Sequence, residues 1–276
     1  MRLSRSLRGE LVPYLQPEQG PTLYYEEKGA GRPLLLVHDW GTNLRAWDGV
    51  VGELADEFRV ISFDLRGHGS SEVTNTAHGV DAFADDIAAI TEGLMLSDTT
   101  LVGWSMGGQA AMRYLARGGV RAAKLGLIGT MPFYLDISPY KTNWTQDFMR
   151  EIGEMAALAR PLFVRRFFDL YFSTEVPPEV IDWLAQMALA TPAWVTFECS
   201  ASLFATDLRP VLGSITTPTL LMHGRRDRMC AYDASILMAE TMPNARMTTF
   251  ELAGHSPHLE ERETFVTSLA TFARSG

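Results

Sequence analysis

Short apolar runs alternate with longer amphipathic stretches along most of the chain. Residues 22–26 and 34–38 read as strands separated by the turn signal Gly29-Ala30-Gly31. Residues 45–57 fit a helix and 60–64 a short buried strand. Apolar side chains recur at helical spacing over 80–94, followed by an apolar strand at 100–104 and an Ala- and Leu-bearing helix at 106–117. Strands at 124–128 and 219–223 are each closed by a glycine, Gly129 and Gly224. A helix around 234–241, a strand at 247–252 and a helix at 259–273 complete the series. The first twenty residues have no strong period and suit a tail or an edge strand. The alternation predicts an α/β fold, a mainly parallel sheet of about eight strands flanked by helices.

One connection breaks the rhythm. Residues 130–217 are helical in pattern and far exceed the dozen or so residues that a crossover needs. The segment is rich in large apolar side chains, Phe163, Phe167, Tyr171, Trp194 and Phe204 among them. These either hold the insert together or cover a site at the carboxyl ends of the strands, where open α/β sheets bind ligands. The expectation is a helical cap inserted before the strand at 219–223. The core is then 1–130 and 215–276, and the cap 131–214.

Composition narrows the function. The 276 residues include 24 basic and 33 acidic side chains, a net charge of −9, so the basic footprint of a nucleic-acid binder is missing. Apolar residues make up 46%, enough for a full core. No stretch approaches the roughly 20 apolar residues of a membrane span. Two cysteines, Cys199 and Cys230, are too few for a disulfide scaffold, and the basic N-terminus lacks the apolar core of a secretory signal. A cytoplasmic protein acting on a small molecule, with neither nucleic acid nor membrane as partner, is expected.

The segment Gly103-Trp104-Ser105-Met106-Gly107 matches G-x-S-x-G and lies between a predicted strand and a predicted helix. That setting, more than the motif, marks a nucleophile elbow: a serine on a sharp turn with small neighbours. The alternative is a Gly-rich turn that holds a serine by chance. A serine hydroxyl needs a base. Of six histidines, His38 and His223 end apolar strands, His68 lies in a Gly-rich loop, and His78 precedes a helix. His255 follows the last strand in a loop able to reach the elbow, which makes it the best base. His258 reads as packing or capping; His255 and His258 lack a third ligand at a metal-site spacing, so no metal or cofactor is expected. Asp227, after strand 219–223, is the candidate acid, with Asp136 as runner-up. The order Ser105, Asp227, His255 is that of α/β-hydrolases.

With these residues in place the chain resembles the α/β-hydrolase superfamily. His38-Asp39-Trp40-Gly41 is similar to its His-Gly-x-Gly oxyanion loop, and Asp64-Leu65-Arg66-Gly67-His68-Gly69-Ser70-Ser71 to its Asp-x-Arg-Gly-x-Gly-x-Ser loop. The stretch from His255 to Glu261 is also similar, and the match covers about 22–130 and 215–274. Among subgroups the chain looks most like small carboxylesterases, pimeloyl-carrier-protein methyl ester esterases, enol-lactonases and non-haem perhydrolases. The resemblance implies a serine hydrolase acting on an ester, lactone or thioester through an acyl-enzyme. Met106 and Trp40 would supply the oxyanion-hole amides, and Trp104 and Trp40 would line the pocket. Cys230 reads as a small buried hydrophobe. The same fold hosts C–C bond hydrolases, lyases, cofactor-free oxygenases and slow receptors. Arg160, Arg165 and Arg166 offer either a docking patch for an acidic carrier or a solvated face.

Asp39 departs from the family pattern, which has Gly after the His. A carboxylate there opposes a developing oxyanion, so its side chain is expected to turn away and accept hydrogen bonds from loop amides or an Arg. The rival reading has Asp39 facing the pocket and holding a substrate hydroxyl or cation.

Overall fold

The computed structural model describes residues 2–5, 11–75, 77–136, 140–142 and 144–275. Strands β1 (Arg2–Arg5) and β2 (Leu11–Gln16) form a hairpin that pairs through β3 (Leu23–Lys28) with the rest of the sheet. Then follow β4 (Pro33–Val37), α1 (Asp48–Leu54), β5 (Arg59–Phe63), α2 (Val80–Gly93), β6 (Thr99–Trp104), α3 (Met106–Ala116) and β7 (Ala122–Ile128). Four helices come next: α4 (Gln146–Leu158), α5 (Arg160–Asp169), α6 (Pro178–Ala190) and α7 (Ala193–Ala205). The chain returns through β8 (Thr219–Gly224), α8 (Tyr232–Thr241), β9 (Ala245–Phe250), α9 (Pro257–Glu260) and α10 (Arg262–Arg274).

The sheet has nine strands in the order β1-β2-β3-β5-β4-β6-β7-β8-β9. From β5 to β9 every pairing is parallel, and β1 to β3 add an antiparallel edge. The strand beyond the expected eight lies in the N-terminal segment, where a tail or an edge strand was equally compatible with the pattern. Central strands are buried on both faces and therefore read as continuous apolar runs: Leu34, Leu35, Leu36 and Val37 of β4 are all fully buried.

All the parallel strands end on one side. That places the loop at Asp39 after β4, Ser105 after β6, Tyr134 beyond β7, Asp227 after β8 and His255 after β9 within one rim. Asp64 ties two of these loops together: its carboxylate accepts hydrogen bonds from the amides of Leu44 at 2.8 Å and Ser70 at 2.7 Å. The Gly-rich loop at 64–71 therefore acts structurally.

At the corner between β6 and α3 the backbone approaches the end of β4 closely. A Cβ on Gly107 would lie 2.5 Å from the carbonyl oxygen of His38 and 2.6 Å from that of Val37, both backbone atoms. Gly52, inside α1, has open space around it. Gly107→Ala should lower stability by about 2 kcal/mol or more, whereas Gly52→Ala should raise it by about 0.5–1 kcal/mol. Thermal melts read this as a fall of several degrees for the first and a rise of about 1–3 °C for the second.

Candidate active site

Ser105 occupies the corner with φ 52° and ψ −112°. A non-Gly residue held there costs about 1–3 kcal/mol, and the surroundings must over-determine it. They do: the Ser105 amide donates to the Ile128 carbonyl at 2.8 Å, and its own carbonyl accepts from the Gly108 amide at 2.9 Å and Thr130 Oγ1 at 3.2 Å. The side chain is thereby raised above the sheet onto the floor of a cavity of about 480 Å³.

His255 is positioned from both sides of its backbone. Its amide donates to the Tyr171 carbonyl at 2.7 Å, and its carbonyl accepts from Trp104 Nε1 at 2.9 Å. The ring Nδ1 lies 2.8 Å from Asp227 Oδ2. Asp227 is fixed in turn, because its Oδ1 accepts from the amides of Met229 at 2.7 Å and Cys230 at 2.8 Å. Ser105 Oγ is bonded at 3.3 Å to the hydroxyl of Tyr134 and not to His255. Loose serine–base geometry without substrate is common and tightens in the reacting complex.

Asp39 faces this centre. Its Oδ1 accepts from the Met106 amide at 3.1 Å, its Oδ2 from the Tyr171 hydroxyl at 2.6 Å, and His255 Nε2 lies 3.5 Å from Oδ2. The expectation that the side chain turns away is therefore corrected. The apolar floor offers two neutral donors and a ring nitrogen in one place, and the buried carboxylate goes to them because burial without partners is costly. The amide that the family pattern assigns to the oxyanion is thus filled by a side chain of the same protein. An oxyanion about 4 Å from a fixed carboxylate is opposed by about 4 kcal/mol at an effective dielectric of 20. That is roughly a thousandfold in rate.

These contacts set the charges. For Asp227, burial acts to raise the pKa, but the attraction of His255 and hydrogen bonds from His223 and His255 outweigh it and hold the carboxyl well below the usual range. Burial acts to lower the pKa of His255, yet Asp227, the neighbouring Cys230 and the hydrogen bond to Asp39 push it well above the ordinary value. Burial raises both Tyr134 and Tyr171 well above 10. It also pushes the Cys230 thiol up to about 11. The donor atoms of Asp227, Cys230 and His255 lie within 4.8 Å of one another, and no other metal-competent trio occurs among the described residues. A protonated thiol and an imidazole already bonded to the carboxylate suit proton transfer better than ligation.

The remaining sequence expectations sort clearly. Trp40 lines the cavity, packs against Phe167 with ring centres 4.7 Å apart and planes tilted by 55°, and donates through Nε1 to the Thr196 carbonyl at 3.0 Å. Trp104 does not line it. The ring is fully buried beneath the floor among Trp47, Tyr171 and His258, so the expected substrate contact is replaced by a hold on the His255 backbone. Asp136 is exposed and accepts from the Thr142 amide at 3.1 Å. Arg160 spends its guanidinium on the carbonyls of Ala188 and Thr191, and Arg165 pairs with Asp182. Tyr134 and Tyr171 were missed as polar members of the site: each lies in a long connection with no motif around it.

The rest of the cavity is apolar. Phe163 and Phe167 of α5, Ile152 of α4 and Leu203 and Phe204 of α7 wall it, and Phe197, 74% exposed, marks where it meets solvent. No helix among the described residues is long and apolar enough to cross a membrane.

With fold and site geometry established, the chain belongs to the alpha/beta hydrolase family, whose model matches residues 34–268. It is 31% identical to the AB hydrolase superfamily protein YisY of Bacillus subtilis over 95% of this chain and 99% of that protein. It is 30% identical to a pimeloyl-[acyl-carrier protein] methyl ester esterase of Nitrosomonas europaea, covering 89% of this chain and 97% of the other. The solved structure of an esterase from Exiguobacterium antarcticum superposes with a TM-score of 0.91 at 30% identity, covering 95% and 99% of the two chains. These relatives support hydrolase activity on this fold.

Trp104→Phe keeps an aromatic ring in the buried site but loses part of the indole volume and the donor to the His255 carbonyl. Leaving that acceptor unpaired should cost about 1–3 kcal/mol. A melt should show the loss of stability, and steady-state kinetics a fall in kcat with KM within about twofold, because Trp104 touches no substrate.

Proposed function

We propose that the protein is a serine hydrolase that cleaves a carboxylic ester, lactone or thioester of a small apolar substrate through an acyl-enzyme. The observation that carries this reading is the juxtaposition on one cavity floor of Ser105, in its left-handed corner, with the His255–Asp227 pair at 2.8 Å. The esterase relatives point the same way.

In this reading neutral His255 takes the proton from Ser105 Oγ as Oγ bonds to the carbonyl carbon. Asp227 fixes the tautomer through Nδ1 and steadies the imidazolium. The tetrahedral adduct collapses as the carbon–oxygen or carbon–sulfur bond breaks and His255 returns the proton to the leaving group. Water then repeats the sequence on the acyl-enzyme. The oxyanion takes the amides of Met106 and Trp40 once Asp39 has yielded its place on Met106. We assign the core to 1–130 and 215–276 and the cap to 131–214, whose aromatic wall favours an apolar group on the substrate.

Ser105→Ala should fold normally and lose on the order of 10⁶ in kcat, the loss seen when a triad nucleophile is removed. Reaction with a fluorophosphonate should label the parent and not the variant. Activity within tenfold of the parent would show that Ser105 is not the nucleophile. Asp227→Asn should cost roughly 10⁴ in kcat through the wrong tautomer, while Asp136→Asn should cost little. The reverse order would move the acid.

The pH profile follows from the charges around His255: Asp227 at Nδ1, Asp39 at Nε2, and the Cys230 thiol and Tyr171 ring alongside. The base works only when neutral. A raised pKa moves deprotonation to higher pH, so kcat/KM should climb through a midpoint above the ordinary histidine value of about 6.5. A midpoint at or below 6 would contradict this arrangement.

A further inference from the structure

Asp39 is the feature that the general reading leaves without a role. Its backbone is clamped: the carbonyl accepts from the Thr42 amide at 3.1 Å, from Thr42 Oγ1 at 2.9 Å and from His38 Nδ1 at 2.9 Å. His38 can donate from Nδ1 because its Nε2 accepts the Leu65 amide at 3.0 Å and the buried ring is neutral. The carboxylate is thus aimed at the cavity floor by a hydrogen-bonded loop.

Its surroundings define what it can hold. Among the described residues neither Arg nor Lys pairs with Asp39, and the one guanidinium in the cavity wall, Arg160, is committed to backbone carbonyls. The Met106 amide and Tyr171 hydroxyl are neutral donors, and His255 Nε2 is needed for the proton of Ser105. An ionised carboxyl has about four acceptor positions; this one lines the cavity but is almost wholly covered, so a donor reaches it as the Met106 contact opens. A plain ester brings only acceptors and sets its carbonyl oxygen against a buried carboxylate. An ester with a hydroxyl or ammonium on the adjacent carbon brings a donor that forms a charge-assisted hydrogen bond where water is scarce.

We propose, resting on the serine-hydrolase reading above, that Asp39 is the specificity-determining group of the pocket: it fills the oxyanion position at rest and selects esters that carry a hydrogen-bond donor beside the scissile carbonyl. The donor draws the carboxylate off the Met106 amide as the carbonyl oxygen moves onto it. A substrate without the donor must displace Asp39 unaided. A site built around a polar group discriminates strongly against analogues that lack its partner.

The test compares methyl butyrate, methyl 2-hydroxybutyrate and methyl 2-aminobutyrate by pH-stat titration, with the parent protein, Asp39→Asn and Asp39→Gly. With each kcat/KM divided by the same ester's rate of alkaline hydrolysis, which removes the activating effect of the α-substituent, the parent should prefer at least one donor-bearing ester over methyl butyrate by about tenfold or more. Asp39→Gly should bring the three within about threefold, by raising methyl butyrate rather than by losing the others. The isosteric Asp39→Asn should weaken the preference in the same direction. A general loss of packing changes all three esters alike and leaves their ratio intact. Equal normalised rates in the parent, or a preference that survives in Asp39→Gly, would overturn the assignment while fluorophosphonate labelling of Ser105 left the serine-hydrolase reading standing. No labelling and no hydrolysis of any ester by the parent or either variant would overturn that reading and the assignment with it.

Discussion

The site depends on how closely the β6–α3 corner packs against the end of β4. Glycine at 107 lets the corner backbone approach the carbonyls of Val37 and His38, and this contact joins the serine loop to the loop that carries Asp39. Ser105 then adopts φ 52°, and hydrogen bonds from Gly108 and Thr130 and to Ile128 maintain it. Once the corner is set, the amide of Met106 has one direction in which to point. Whatever fills the space before it, carboxylate or oxyanion, is decided by the backbone.

Electrostatics follow from that placement. Two buried carboxylates flank one imidazole: Asp227 at 2.8 Å from Nδ1 and Asp39 at 3.5 Å from Nε2. A protonated ring between them balances part of the charge, which is why His255 is driven toward its charged form despite burial. A general base needs the opposite. The proposed mechanism therefore has the Asp39 contact loosen when substrate arrives, and the tyrosine hydroxyl at 2.6 Å would give the carboxylate a partner to keep while it shifts.

Much of this was legible in the sequence. The parallel strands show as apolar runs because both faces of the sheet are covered, and the serine corner shows because its sterics demand glycines at fixed offsets. The positions of His255 and Asp227 after successive strands follow from topology, since parallel strands bring their carboxyl ends to one rim. Side-chain direction was not legible. Trp104 neighbours the serine in sequence yet points beneath the floor, because the turn at Ser105 sends successive side chains to opposite sides. Asp39 was expected to avoid the oxyanion position on charge grounds. Loop amides or an arginine away from the centre were the expected partners; the buried loop offers the Met106 amide, a phenol and an imidazole at the centre itself. Tyr134 and Tyr171 reach the site from the long connection between β7 and β8, which carries no catalytic motif, and only the packed fold brings them in.

The central claim is that Ser105 carries the acyl group. Rapid quench of the protein with a slowly turned-over ester, followed by intact mass and peptide mapping, reads this directly. A mass increment equal to the acyl group should appear on the peptide containing Ser105, build up within the first turnover and vanish as the ester is exhausted. Steady ester turnover with no adduct at any quench time, or an adduct mapped to Asp39 or Cys230, would contradict the mechanism.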